Sequence, residues 1–231
     1  MKTVLIIGGS SGIGRACVDL FTKKNWNVFA TYYSHKQTSA DNRIRWSFLD
    51  IRDIPSNFFD DIPPIDAVVM CAAKNVTQNL SEMKKKDTQE IIDTNLTSQI
   101  EFIKLLKNKL AANSSIVLFG SMVSVVGFKR RIAYGITKSA IEGVTKTLAT
   151  EFSPSTRVNC IMPAYIKTNS YFEHNAIEEV TRVKKILLGR LGEPEEVAQL
   201  AFFLSSGDSS YINGESIGIN GGFNYDYECP I

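Results

Sequence analysis

The stretch Thr3–Ala16, "TVLIIGGSSGIGRA", is a short apolar run that breaks into small residues and then resumes. Val4 to Ile7 reads as a buried strand, and a helix of amphipathic period starts near Ile13 and runs to Lys24. The break between them carries Gly8, Gly12 and Gly14 with Ser10 and Ser11. Glycine allows close backbone approach, and a helix N-terminus offers unpaired N–H groups to an anion. The turn is therefore either a plain strand-to-helix connection or a cradle for phosphate. Its spacing, Gly-x-x-x-Gly-x-Gly, differs from the common dinucleotide fingerprint Gly-x-Gly-x-x-Gly. Arg15 stands where a P-loop would place lysine, which argues against nucleotide triphosphate hydrolysis.

Working outward, strands and helices alternate. Val28–Tyr33, Ile44–Leu49, Ala67–Cys71, Ser115–Phe119, Arg157–Ile161 and Ser216–Ile219 read as further strands. Helices are expected over Asp87–Leu110, Ile132–Phe152, a mixed segment Ser170–Leu188, and Glu193–Ser206, which opens on Pro and acids. Such alternation predicts an α/β fold: a doubly wound, parallel, seven-stranded sheet with helices on both faces. Ligands of such sheets bind beyond the carboxyl ends of the strands, where strand order reverses. The 231 residues show no repeat or linker and read as one domain, 1–231.

Composition excludes several classes. A net charge of +2 gives no broad field for nucleic acid or membrane surface, and no apolar run has the ~18 residues of a membrane span. Cys17, Cys71, Cys160 and Cys229 are scattered without metal-ligand or redox spacing, so no metal is expected. With no signal peptide in view, a reducing cytoplasm is the expected setting.

Chemistry concentrates in the middle of the chain. Tyr134 and Lys138, in "YGITK", stand four apart on a helix and so share a face. A phenol titrates near ~10 and becomes a useful acid–base group when a lysine ammonium favours its anion. Ser121 follows the fifth strand at its carboxyl end, where a hydroxyl can polarise a carbonyl, although an ordinary loop serine fits there too. Asn95 sits inside an apolar helix, a position that calls for a specific hydrogen bond, structural or functional.

These residues, with "GGSSGIG" (8–14), "FLDIRD" (48–53), "DTNLTS" (93–98), "RVNCIMPAYIKT" (157–168), "GRLGEPEEVAQLAFFLSS" (189–206) and "YINGESIGINGG" (211–222), give the chain a resemblance to the short-chain dehydrogenase/reductases over nearly its whole length. The likeness is to the branch holding the 3-oxoacyl-[acyl-carrier-protein] reductases. It implies a Rossmann-type fold, a nicotinamide cofactor and a catalytic tetrad of Asn95, Ser121, Tyr134 and Lys138. It further implies that Tyr134 is the acid in reduction and that Ser121 holds the carbonyl oxygen. Lys138 would bind the nicotinamide ribose, and Asn95 would hold a water of a proton relay.

By the same resemblance the cofactor contacts fall on Gly8, Ser10, Ser11, Gly12, Ile13, Gly14, Tyr33, Ser34, Asp50, Ile51, Ala72, Pro163, Ile166 and Thr168, besides Tyr134 and Lys138. Three positions depart from the family pattern. "MCAA" (70–73) replaces its Asn-Asn-Ala-Gly, Ile7 its threonine, and Pro163-Ala164 its Pro-Gly.

"ATYYSHK" (30–36) has no acid at the end of the second strand, where NAD-preferring sites place one, whereas Ser34, His35 and Lys36 could take a 2′-phosphate. NADP(H) is therefore expected, with NAD(H) as the alternative. The expected substrate is a small carbonyl or alcohol; the resemblance implies a variable segment over its pocket, where Tyr165, Tyr171 and Phe172 either line the pocket or pack against the core. The basic run at Lys129–Arg131 raises an anionic or carrier-linked substrate as one reading and a solvated surface as the other. The resemblance implies a homotetramer or homodimer through the two central helices. Two rival readings stand beside this one. The first is an NAD(H)-dependent sugar or steroid dehydrogenase. The second is a dinucleotide-binding sensor or scaffold without catalysis.

Overall fold

The computed structural model describes residues 1–168 and 176–223. Seven parallel strands lie in the order β3-β2-β1-β4-β5-β6-β7. They are β1 (Thr3–Ile7), β2 (Asn27–Tyr32), β3 (Ile44–Phe48), β4 (Ile65–Met70), β5 (Leu110–Phe119), β6 (Thr156–Pro163) and β7 (Ser216–Ile219). The helices are α1 (Gly12–Lys23), α2 (Lys85–Ile92), α3 (Ser98–Leu106), α4 (Ile132–Phe152), α5 (Ala176–Val183) and α6 (Pro194–Ser205). No described helix is long and apolar enough to cross a membrane.

All five residues of β1 are buried, because a central parallel strand is covered on both faces. The period of two sends Val4 and Ile6 to one face, against Ala16, Val18 and Phe21 of α1 and Val197, Ala201 and Leu204 of α6. Leu5 and Ile7 go to the other, against Phe102, Ile103 and Leu106 of α3 and Ile141 and Ala149 of α4. These two clusters are the core. Strand order reverses at β1, which pairs β2 on one side and β4 on the other. Ile7 sits beside Met70 at that point, so the turns that follow, from Gly8 and from Cys71, flank one crevice.

The long helix expected over Asp87–Leu110 is a correction. It is split into α2, a π-helical turn at Asp93–Thr97, and α3, and it ends at Leu106. Apolar periodicity does not register one extra residue in a turn, since the faces on either side still point to the core. Leu110 instead opens β5, five residues before the expected start, and pairs with Ile65 ahead of a register shift. The start of that strand carries no continuous apolar run, because residues 110–113 lie outside the buried region and the next two are buried serines. In the segment expected to be helical over Ser170–Leu188, the described helix is α5.

Candidate active site

The site is built first by the glycine turn. Gly8 has φ of +82°, and a Cβ there would stand 2.8 Å from the Ala72 nitrogen, so only glycine lets β1 and the turn after β4 approach. Gly14 is tighter: a Cβ would lie 2.1 Å from the Gly8 carbonyl oxygen. At Gly12 the space is filled from across the crevice by the Thr168 side chain, which a Cβ would meet at 3.1 Å. Ser11 does not cap α1 through its side chain, and no acid stands in the first turn. That terminus therefore keeps N–H groups and a partial positive charge that no capping side chain or nearby acid takes up, as an anion site requires. Ser10, Ser11 and Ile13 flank it.

The second component comes from β5 and α4. Gly120 leaves room for the Cys160 sulfur, which accepts its N–H at 3.1 Å; burial pushes that thiol up to about 11. Ser121 follows in extended conformation and its Oγ accepts from the Val123 N–H at 3.3 Å, leaving its own hydrogen free to donate. Lys138 is buried, and its Nζ donates to the Phe119 carbonyl at 2.6 Å and lies 5.6 Å from the Tyr134 ring centre. One backbone oxygen therefore fixes the lysine beneath the tyrosine and leaves two of its protons for a ligand.

Asn95 lies in the π turn and is fully buried. Its Oδ1 accepts from the Lys74 N–H at 2.7 Å, while its Nδ2 donates to the Lys74 carbonyl at 2.8 Å and to the Thr137 Oγ1 at 3.3 Å. Its amide thus joins the turn after β4 to α4, one residue from Lys138. Gln99 supports the same turn by donating to the Ala72 carbonyl at 3.0 Å. In the same turn, the Cys71 thiol is held well above its ordinary range by the Cys17 thiol and by burial.

Ser121, Tyr134 and Lys138 line one cavity of about 270 Å³ together with Ile13, Pro163, Ile166 and Thr168. Tyr165 lines it as well, whereas Tyr171 and Phe172 lie outside the described residues. Asn95 reaches the site only through the groups it binds. The expected adenine-side residues stand apart from the cavity, on the same carboxyl edge of the sheet. Tyr33 stacks on Phe48, Ser34 Oγ is 2.9 Å from His35 Nδ1, and Ile51 is buried. Asp50 is already engaged: both of its oxygens accept from the Arg52 guanidinium, which holds its carboxyl below the usual range. Arg52 also donates to the Tyr33 hydroxyl at 3.1 Å, a contact without a sequence signal.

The family model described as enoyl-(acyl carrier protein) reductase matches residues 8–224. A solved short chain dehydrogenase family protein from Francisella tularensis superposes with a TM-score of 0.87 at 28% identity, over 96% of this chain and 98% of that one. The chain belongs to the short-chain dehydrogenase/reductase family. Among its relatives is the 3-oxoacyl-[acyl-carrier-protein] reductase FabG of Chlamydia pneumoniae, 31% identical over 97% of both chains. Another solved member, ElxO with NADP bound, has a TM-score of 0.86 and 28% identity, covering 96% of this chain and 98% of that one. As a short-chain dehydrogenase/reductase, the protein is an NAD(P)-dependent oxidoreductase acting on CH–OH or C=O groups. The residues present fit the dinucleotide: the uncapped α1 terminus, the glycine cradle against Ala72 and Thr168, and an anchored lysine in the adjoining cavity.

Sequence reasoning missed three participants. Thr137 and Asn75 carry no pattern of their own. Arg182 lies near the end of a helix that sequence read only as mixed, yet it lines the cavity.

Proposed function

We propose that the chain is an NADP(H)-dependent carbonyl reductase, or an alcohol dehydrogenase in reverse, with Tyr134 as the proton-transferring residue. The observation that carries this reading is the convergence of Ser121, Tyr134 and Lys138 on one cavity beside the glycine turn. Bound NAD(P)H supplies the hydride. Ser121 donates its free hydroxyl hydrogen to the substrate's carbonyl oxygen and so fixes the reacting carbon. Tyr134 passes its phenolic proton to the same oxygen as negative charge develops there. Lys138, held on Phe119, places its positive charge beneath the phenol and favours the anion that remains. It also directs its other protons toward the cofactor ribose. Asn95 keeps the turn after β4 and the Thr137 region in register. Its side chain is taken by these bonds, so a relay water falls to the main chain of the π turn. A sensor without catalysis would gain nothing from this arrangement of four side chains.

NADP(H) is the cofactor this reading favours. No carboxylate stands between Ala30 and Lys36 to repel a 2′-phosphate, and ElxO is a relative with NADP bound. Calorimetric titration with both nucleotides is expected to give at least tenfold tighter binding of NADP(H). Tenfold tighter NAD(H) binding would overturn the preference while leaving the fold of the site untouched. In a Ser34→Asp variant the preference should reverse, since the new carboxylate accepts ribose hydroxyls and repels phosphate.

The same reading takes residues 1–231 as one dinucleotide-binding unit in the cytoplasm, acting on a small carbonyl compound that is anionic or carrier-linked. A homotetramer or homodimer fits the apolar side chains exposed on the central helices, Ile100 and Leu105 of α3 and Ile136 of α4. Sedimentation equilibrium tests it, and a monomer at micromolar concentration would refute it.

A further inference from the structure

Of the basic run Lys129–Arg131, Lys129 and Arg130 are exposed, whereas Arg131 is half-buried and lines the catalytic cavity. Arg182, from α5, lines it too and stands over the Tyr165 ring at 5.2 Å. Among the described lining residues there is no Asp or Glu, while Lys138 adds a third basic side chain. Arg131 is held in place rather than free: its Nη1 donates to Asn75 Oδ1, and Gln78 N–H donates to the neighbouring Arg130 carbonyl at 3.1 Å. The turn after β4 and the turn before α4 are thereby tied together beside the cavity. Burial lowers the Arg131 pKa against the opposing effect of Tyr134, and Arg182 lowers it further. An incoming anion would favour the charged guanidinium against that burial.

We propose that the substrate is a small carbonyl compound bearing an anionic group, carboxylate or phosphate, which Arg131 and Arg182 bind while its carbonyl meets Ser121 and Tyr134. The proposal rests on the reductase reading above and narrows its substrate class. Guanidinium matches either anion with two parallel hydrogen bonds, and Asn75 presets the orientation of one fork. Part of the remaining wall is aromatic, with Phe128 stacked on Phe223 at 5.8 Å and Tyr165 edge-on to Phe223 at 5.3 Å. The cavity therefore offers a reacting end, an apolar wall and a cationic group in about 270 Å³, just below the ~300–1,000 Å³ usual for ligand pockets. A carrier-linked 3-oxoacyl thioester satisfies this arrangement poorly. It is neutral around its carbonyl, and its nearest anion is the phosphodiester at the far end of the pantetheine arm.

The test uses matched pairs with NADPH: acetoacetate against ethyl acetoacetate, and dihydroxyacetone phosphate against dihydroxyacetone. The wild-type chain is expected to favour the anionic member of at least one pair by tenfold or more in kcat/KM, and the pair with the larger ratio separates carboxylate from phosphate. Arg131→Gln and Arg182→Gln should each raise KM for that anion about tenfold and shrink the ratio, with Arg131→Lys intermediate. Lys129→Gln and Arg130→Gln, outside the cavity, should leave the ratio unchanged. Equal or better use of the neutral partners by the wild type would overturn the proposal, as would a ratio that survives both Arg131→Gln and Arg182→Gln. Calorimetry of acetoacetate and dihydroxyacetone phosphate on the NADP⁺-loaded protein separates the two readings if nothing is turned over. Anion binding that disappears in Arg131→Gln then supports the anion site and counts against reduction of these compounds, and absence of binding overturns the site.

Discussion

Tyr134→Phe is expected to lower kcat for carbonyl reduction by about 10²–10⁴-fold, the range in which a positioned general acid contributes. The substitution removes one oxygen and nothing else. The ring still lies 5.6 Å above the Lys138 nitrogen, and that nitrogen stays on the Phe119 carbonyl. In the proposed mechanism Ser121 would still donate to the substrate oxygen, so binding and orientation should persist while the proton source is gone. Stopped-flow oxidation of NADPH measures the loss directly, and calorimetry with NADP⁺ checks that the variant remains able to bind. Turnover undiminished in this variant would sink the mechanism proposed for the site.

Gly14→Ala carries the other large effect, on both folding and cofactor binding. An added methyl at 2.1 Å from the Gly8 carbonyl cannot be absorbed by a side-chain rotation, since the obstacle is backbone. The turn or α1 must shift, at the upper end of the about 1–3 kcal/mol that overpacking costs. Calorimetric affinity for NADP⁺ should fall at least tenfold, because the displaced helix terminus is the group proposed to bind the cofactor phosphate. Gly143→Ala supplies the control. Gly143 is exposed on α4 with no atom within 4 Å of an added Cβ, so the change should stabilise the protein by about 0.5–1 kcal/mol through helix propensity alone. Chemical denaturation of the two variants distinguishes a packing constraint from a general intolerance of alanine. Equal stability of Gly14→Ala and wild type would contradict the packing described for the turn.

The fold was legible because its determinants are local. Fully buried parallel strands demand continuous apolar runs, and both faces of β1 are packed, so "TVLII" could not be mistaken for a surface strand. The bounds of α4 and β7 also match those read from the sequence. The break of the central helix at Asp93–Thr97 was not legible, since it answers to a partner distant in sequence. Asn95 bonds the Lys74 backbone, and no periodicity records that contact.

Within the site, the residue types were set locally and their meeting was not. The Gly8–Gly14 spacing, the Tyr134–Lys138 pair and Ser121 after β5 are short-range patterns, which is why sequence alone determined the family and the candidate chemistry. Tertiary structure decided which charges matter. The run Lys129–Arg131 is uniform as sequence, yet only Arg131 is brought into the cavity, beside Arg182 from a helix about fifty residues later. Arg52, which pairs locally with Asp50, is also brought against the Tyr33 hydroxyl and Glu90 from other elements. Helix and strand periods fix which side chains share a face within one element. Which faces meet across elements depends on how the sheet and its crossovers pack, and that is where Arg131, Asn75 and Arg182 acquire a common cavity.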